Sequence, residues 1–377
     1  MEEWMMKLRY CVIALLPYFK FDVGCSMLDV QCSMTAIRRP SQKLRDLCAS
    51  VRNTAIVIFL SSSTVFAAGD KNIKTWTDPE LALKEDPDFA LQGEYLSQNS
   101  ASPLGVQVVA LGNGQFEAYL LKGGLPGAGW VSGNARTLLK GTRAGSDVVF
   151  ADTNKMVSAK LVTGHFLMTT TDETPLPRIV RTSPTLGAKP PQGAVVLFDG
   201  TSAEQWEQGK CENGLLLATS CTTKKTFKSY SLHLEFRTPY MPTARGQERG
   251  NSGVYHSGRW ETQILDSFGL EIRDNHCGGI YSISKPLLNM CLPPLAWQTY
   301  DVDFKAATFD AEGKRTAWPR ITVKLNGVLV HEDLELSKNF TTSAPISSTL
   351  ASPEGPVHLQ NHKNPVVFRN IWLIEGK

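Results

Sequence analysis

Residues 231–237 read SLHLEFR, a strict alternation that puts Leu232, Leu234 and Phe236 on one side of a strand and Ser231, His233, Glu235 and Arg237 on the other. The pattern recurs downstream. Ile321, Val323 and Leu325 alternate into Asn326-Gly327, and residues 357–362, VHLQNH, separate Val357 and Leu359 from His358, Gln360 and His362. Short alternating strands divided by turn residues predict an antiparallel β-sandwich or jelly roll. The polar sides carry carboxylate, imidazole, guanidinium and amide groups where plain solvent faces usually carry Lys, Thr and Ser, so they are expected to gather on one ligand-facing surface.

Upstream, residues 106–111 (VQVVAL) and 115–121 (QFEAYLL) flank Gly112-Asn113-Gly114. Asn-Gly between two such runs predicts a tight hairpin, because both turn positions need a positive φ. A glycine-rich stretch at 123–129 and further runs at 147–150 and 156–161 extend this into a small β domain over residues 75–182. Residues 183–193, SPTLGAKPPQG, read as an extended Pro/Gly linker. The second domain then covers 194–377, and the fold class is mainly β, a sandwich preceded by a smaller β domain.

With 42% hydrophobic and 20% charged residues, the 377-residue chain has too much apolar material for intrinsic disorder. Its formal charge of +3 lies wholly in residues 1–68, and the remainder is neutral, so no nucleic-acid partner is expected. That head contains Arg52, the apolar run TAIVIFL at 54–60 and Val65-Phe66-Ala67, the pattern of an export signal over about 51–68 with cleavage near Ala67 or Ala68. A periplasmic or extracellular location follows as the expectation. The apolar run is too short for a spanning helix, so no transmembrane anchor is expected in the mature chain. Residues 1–50 read as a gene-start extension, with Val51 placed where an alternative initiator would stand.

An even set of cysteines in an exported chain reads as disulfides. Of the three connectivities open to Cys211, Cys221, Cys277 and Cys291, pairing 211 with 221 and 277 with 291 closes the shortest loops. Neither pair has the CxxC spacing of a zinc site. No cofactor is expected, and a divalent metal stays open.

From Val195 onward the chain resembles the 3-keto-disaccharide hydrolase domain family, which has the concanavalin-like jelly-roll fold. The resemblance rests on VVLFDGTSAEQW at 195–206, GNSGVYHSGRWETQILDS at 250–267, GGIYSISKPLLN at 278–289, WQTYDVDF at 297–304, VKLNGVLV at 323–330 and GPVHLQNHKNPVVFRNIWL at 355–373. The upstream segment, GVQVVALGNGQFEAYLLKGGLPGAGW, is similar to an extra β domain found with this module in planctomycete-type proteins. The resemblance implies an oligosaccharide or oxidised 3-keto-glycoside as substrate and cleavage by C2 proton abstraction, elimination of the C1 substituent and hydration. A ketone at C3 acidifies the C2 hydrogen, so the site needs a base near its working pKa and a group that stabilises the enolate.

Glu261 is the first candidate base, with Asp266 and His362 as further catalytic candidates. Glu261 and Gln263 share a strand face, whereas Asp266 would need a β-bulge to join them. Related glucanases carry an ExDxxE strand, and the Gln and Asp here depart from it, which weakens a plain retaining mechanism. Expected substrate-binding residues are Glu235, Arg237, His233, Asn251, Gln263, Tyr281, Gln360 and Arg369, with Arg369, His233 or a bound metal facing the oxyanion. Two rivals remain: a non-catalytic lectin-like module on the same face, and an ordinary acid/base glucanase.

Overall fold

The computed structural model describes residues 73–98, 101, 103–156, 158–162, 164–169 and 174–376. The expected export signal and its preceding extension lie outside the described residues. Among those described, no helix is long and apolar enough to cross a membrane.

A short helix, α1 (Pro79–Glu85), opens the described chain, capped by the Asp78 carboxylate, which accepts from the amides of Glu80 and Leu81. Ten strands follow: β1 (Gly93–Leu96), β2 (Leu104–Gly112), β3 (Gln115–Lys122), β4 (Leu125–Pro126), β5 (Gly129–Trp130), β6 (Arg136–Ala144), β7 (Asp147–Ala151), β8 (Ser158–Val162), β9 (His165–Met168) and β10 (Leu176–Ile179). Eight of them close into an antiparallel barrel in the order β1-β10-β9-β8-β7-β6-β3-β2, while β4 and β5 pair with each other. The expected hairpin is present: Gly112 faces Gln115, and Asn113 and Gly114 form the turn at φ 56° and 69°. Val106, Val108, Phe116, Phe150 and Phe166 pack together in the barrel's core.

The remaining strands build a sandwich, apart from β20 and β21, which pair with each other: β11 (Val195–Phe198), β12 (Trp206–Glu207), β13 (Cys211–Glu212), β14 (Leu215–Leu217), β15 (Cys221–Thr223), β16 (Tyr230–Arg237), β17 (Ser252–His256), β18 (Trp260–Ile264), β19 (Gln298–Lys305), β20 (Thr308–Phe309), β21 (Arg315–Ala317), β22 (Arg320–Leu325), β23 (Val328–Glu335), β24 (His358–Leu359) and β25 (Val367–Glu375). One sheet runs β13-β14-β25-β16-β19-β22-β23, with β11 also on β25; the other runs β12-β15-β24-β17-β18. Leu232, Leu234 and Phe236 from the first sheet and Val254, Trp260, Ile264 and Leu359 from the second meet in one core. The alternation in SLHLEFR therefore points its apolar residues inward as expected.

Two expectations are corrected. Of the expected 183–193 linker, residues 189–193 are exposed, but residues 183–188 lie as a strap across the outside of the larger sheet. Ser183 Oγ shares a hydrogen bond with Thr299 Oγ1 at 2.6 Å, the Gly187 amide donates to Glu235, and the Ala188 carbonyl accepts from Asn370 and Trp372. The expected disulfides are not formed: Cys211, Cys221, Cys277 and Cys291 are free thiols. Cys211 pairs with Leu216 in the larger sheet and Cys221 with Leu359 in the smaller, so closeness in sequence straddles two layers. Cys277 and Cys291 are buried, with Cys277 Sγ near the Tyr300 hydroxyl and Cys291 Sγ against the Leu265 carbonyl.

Candidate functional site

The polar residues expected on one surface occupy two, because outward-facing positions of the two sheets look in opposite directions. His233, Glu235, Arg237 and Arg369 are on the outside of the larger sheet. There Glu235 accepts from the Gly187 amide (2.6 Å), Arg369 Nε (2.6 Å) and Asn370 Nδ2 (2.9 Å). Burial alone would raise its carboxyl, but contacts with His233, Asn370, Arg369 and the Gly187 amide outweigh that and hold it down at about 2. His233 Nδ1 sits 2.6 Å from Asp301 Oδ1, and its ring stacks on Trp372. Arg237 and Arg369 both lie over the Trp297 ring, at 4.9 and 4.0 Å. This cluster fastens the strap, and none of its members reaches the Glu261 face.

Glu261 is on β18, on the outside of the smaller sheet. Trp260 and Ile264 on the same strand point into the core, so alternation turns Glu261 and Gln263 away from it. Opposite them on β17, Gly253 faces Gln263 and Tyr255 faces Glu261 in a continuous register. The Glu261 side chain leans over Gly253: a Cβ there would stand 2.8 Å from Glu261 Cδ. Tyr255 Oη is 2.9 Å from Glu261 Oε2, and the Glu261 amide donates to Thr341 Oγ1. Burial pushes the Glu261 carboxyl up to about 8, against the lowering effect of the Tyr255 hydrogen bond. Among the described residues no Lys, Arg or His forms an ion pair with it.

Around this carboxyl lies a ring of amides. Asn251 Nδ2 and Gln263 Nε2 both donate to Gln247 Oε1, at 3.1 and 3.0 Å, and Gln247 Nε2 donates to the Asn275 carbonyl. Gln360 Nε2 donates to Tyr255 Oη at 3.1 Å. The donor ends of these side chains are thus engaged, while Asn251 Oδ1, Gln263 Oε1, Asn275 Oδ1 and Gln360 Oε1 are buried with no partner among the described residues. His362 belongs to a loop tied at both ends, by the Gln360 amide to the Gly253 carbonyl on β17 and by Asn364 Oδ1 to the amide of Asn251, the residue before that strand. Its Nδ1 is likewise buried and unpartnered. Tyr281, whose amide donates to the Glu261 carbonyl, is half-buried beside the pair. Such a lining of oxygen acceptors matches a ligand rich in hydroxyl donors.

Asp266 stands apart from this set. The strand ends at Ile264, and Asp266 pairs with Arg249 at 2.7 Å while its other oxygen takes the Phe268 amide. Arg249 also reaches the Ala110 carbonyl at the end of β2, so the pair helps fix the sandwich to the barrel. His256, next to Tyr255 in sequence, faces the core between Tyr230 Oη and Thr262 Oγ1 and is held neutral by burial, its pKa pushed down to about 3. The sequence reading missed Tyr255, Gly253 and Gln247. Alternation through SGVYH carried the signal for the first two, since it places Gly253 and Tyr255 on the face opposite His256. Among the described residues, no three of His, Cys, Asp and Glu gather where they could hold a metal ion.

Residues 193–374 match the 3-keto-alpha-glucoside-1,2-lyase-like domain. The chain belongs to this family. The lyase-like domain takes in both sheets of the sandwich and leaves the barrel outside it. A candidate glycosyl hydrolase of Parabacteroides distasonis is 31% identical to this chain, covering 49% of it and 85% of its own length with a TM-score of 0.45. Another from the same organism is 22% identical, covering 48% of this chain and 99% of its own with a TM-score of 0.37. No curated protein matches the chain. Glu261 and His362 both fall inside the lyase-like domain.

Proposed function

We propose that the lyase-like domain cleaves glycosidic bonds, and that its substrates are 3-keto-glycosides opened by elimination and hydration. The observation that carries this reading is the Glu261 carboxyl: buried on an outward face and, among the described residues, without a cationic partner and ringed by unpartnered amide oxygens. A buried carboxyl whose charge no ion pair offsets among the described residues costs stability, which is the usual mark of a group kept for chemistry.

In the proposed reaction the Glu261 carboxylate takes the proton from C2, and the C2–H electrons move into the C3 carbonyl to give an enolate. The enolate then expels the C1 oxygen, which takes a proton from the Glu261 acid, leaving a C1–C2 double bond conjugated to the ketone. Addition of water, hydroxyl to C1 and hydrogen to C2, completes a net hydrolysis. A carboxyl pushed up to about 8 is a far stronger base than an ordinary carboxylate and still a usable acid afterwards. Its cost is that only roughly a tenth is ionised at neutral pH. Asn251, Gln263 and Gln360 accept from sugar hydroxyls, Tyr281 walls the ring, and His362 supplies an N–H to the developing enolate oxygen.

The deciding experiment offers the protein a 3-keto-glucoside and its unoxidised parent in deuterated water. The proposal expects release of the aglycone from the keto sugar only, with deuterium at C2 of the product. Equal cleavage of the parent without exchange at C2 would point instead to an ordinary glucanase, and binding of both without turnover to a lectin.

A further inference from the structure

Tyr255 Oη has three neighbours and one hydrogen. Glu261 Oε2 lies 2.9 Å away, the Thr342 carbonyl oxygen 2.9 Å away, and Gln360 Nε2 donates to it from 3.1 Å. Thr342 O can only accept and Gln360 Nε2 can only donate, so the hydroxyl must choose between the carbonyl and the carboxyl. When Glu261 is ionised, the hydroxyl donates to the carboxylate and the Thr342 carbonyl loses that donor. When Glu261 is protonated, the acid donates to Tyr255 Oη, the phenolic hydrogen turns to Thr342 O, and that carbonyl keeps its donor.

The geometry points to Tyr255 as a positioning residue that couples the ionisation of Glu261 to a hydrogen-bond flip toward the 338–346 segment. This deepens the proposed role of Glu261 and rests on it for its catalytic meaning. Tyr255 is fully buried on a central strand, and its own hydroxyl is held far above the ordinary tyrosine range, by burial first and then by Glu261, so it relays a hydrogen bond and does not ionise. Thr342 lies between two anchored points, the Thr341 amide on the Arg259 carbonyl and the Ile346 amide on the Gly258 carbonyl, so its carbonyl is a fixed acceptor. Among the described residues the other titratable groups of this face are Tyr281, with Asp274 beyond it, His362 two residues after Gln360, and His358 on β24, whose ring meets Tyr255 edge-on at 5.6 Å and is kept neutral by burial. No charged group of the described residues competes with Tyr255 for Glu261.

The sign follows from the strength of the two bonds. A hydroxyl donating to a carboxylate is charge-assisted and outweighs the neutral bond to the Thr342 carbonyl that it replaces, so Tyr255 favours the ionised form, and Tyr255→Phe leaves burial unopposed and moves the Glu261 titration to higher pH. The test follows the carboxylic-acid carbonyl band of Glu261 by infrared difference spectroscopy on the full chain without substrate, the band being identified by its loss in Glu261→Gln. Tyr255→Phe is expected to raise the midpoint, and Gln360→Met to raise it by less, because a hydroxyl deprived of its donor is itself a weaker donor. Should Tyr255→Phe fold poorly, Gln360→Met alone carries the test. An unchanged midpoint in the variants that fold would overturn the proposal whether or not glycosides are cleaved. A shifted midpoint without cleavage of any keto-glycoside would leave the coupling in place and remove the proposed function.

Discussion

Gly253 and Glu261 occupy one space from two strands: the Glu261 side chain lies where a β-carbon of residue 253 would be, within 2.8 Å of both Cγ and Cδ and closer still to Oε1. The absent side chain at 253 is what allows a carboxyl to lie flat against the sheet beneath Tyr255. Gly253→Ala must displace the end of Glu261, a flexible group, so the cost falls on the site more than on the fold. Turnover is expected to drop at least about a hundredfold, on the scale of misplaced catalytic groups, while the stability read from urea unfolding falls by no more than about 1–3 kcal/mol of overpacking. Near-wild-type turnover in Gly253→Ala would show that the Glu261 position is not critical.

Glu261→Gln separates activity from stability. The folded carboxyl is raised to about 8 from 4.5, so its protonated form contributes stability fully below about 4.5, and that contribution is lost as pH rises through about 8. The amide keeps the shape without the charge. It should abolish turnover and, at pH 8 and above, make the protein more stable than wild type by up to about 5 kcal/mol. Wild-type kcat/KM should rise with pH toward about 8 as the base ionises. Equal thermal midpoints of the two proteins at pH 9, together with retained turnover, would remove Glu261 from the site.

Much of this was legible from the residues alone, for identifiable reasons. The Asn113-Gly114 turn and the alternation in SLHLEFR are local and decided by backbone sterics and period-two burial, so hairpin and sandwich follow directly. Alternation also put Glu261 and Gln263 together. What it cannot say is which sheet an outward residue stands outside: Glu235 and Glu261 both point away from the core, on opposite sides of it. The strap reads as a linker in sequence because a segment with Gly187, Pro190 and Pro191 offers no ladder of its own; the Gly187 amide and the Ala188 carbonyl find their partners in Glu235, Asn370 and Trp372, distant in sequence. Cysteine spacing failed similarly, since the short stretch of chain between Cys211 and Cys221 crosses from one sheet to the other.

Asp266 and Arg249 form a buried pair, so they are expected to matter for folding and not for proton transfer. Removing one partner strands the other charge, and Arg249→Ala should destabilise the chain by roughly 3–5 kcal/mol. Asp266→Asn keeps the shape and loses only the charge, so it should fold with a lower urea midpoint yet leave the pH dependence of kcat/KM unmoved. A pH profile altered in Asp266→Asn would return this residue to the catalytic set.

Glu235 tests the opposite face. Its carboxyl is held at about 2 against 4.5, so the ionised form stabilises the fold above about 4.5 and that contribution disappears as pH falls toward about 2. Through Gly187, Asn370 and Arg369 this one carboxylate ties the strap to β25, and Glu235→Gln weakens all three contacts by removing their charge. Loss of roughly 2–3 kcal/mol is expected at neutral pH, a value that shrinks on acidification. Protease cleavage should move into residues 183–188, where the wild-type chain is pinned. KM for a keto-glycoside should stay as it is, because the Glu261 site lies across the sandwich. If KM rose instead while the strap stayed resistant to protease, the outer face of the larger sheet would have to be counted as part of the substrate's binding surface.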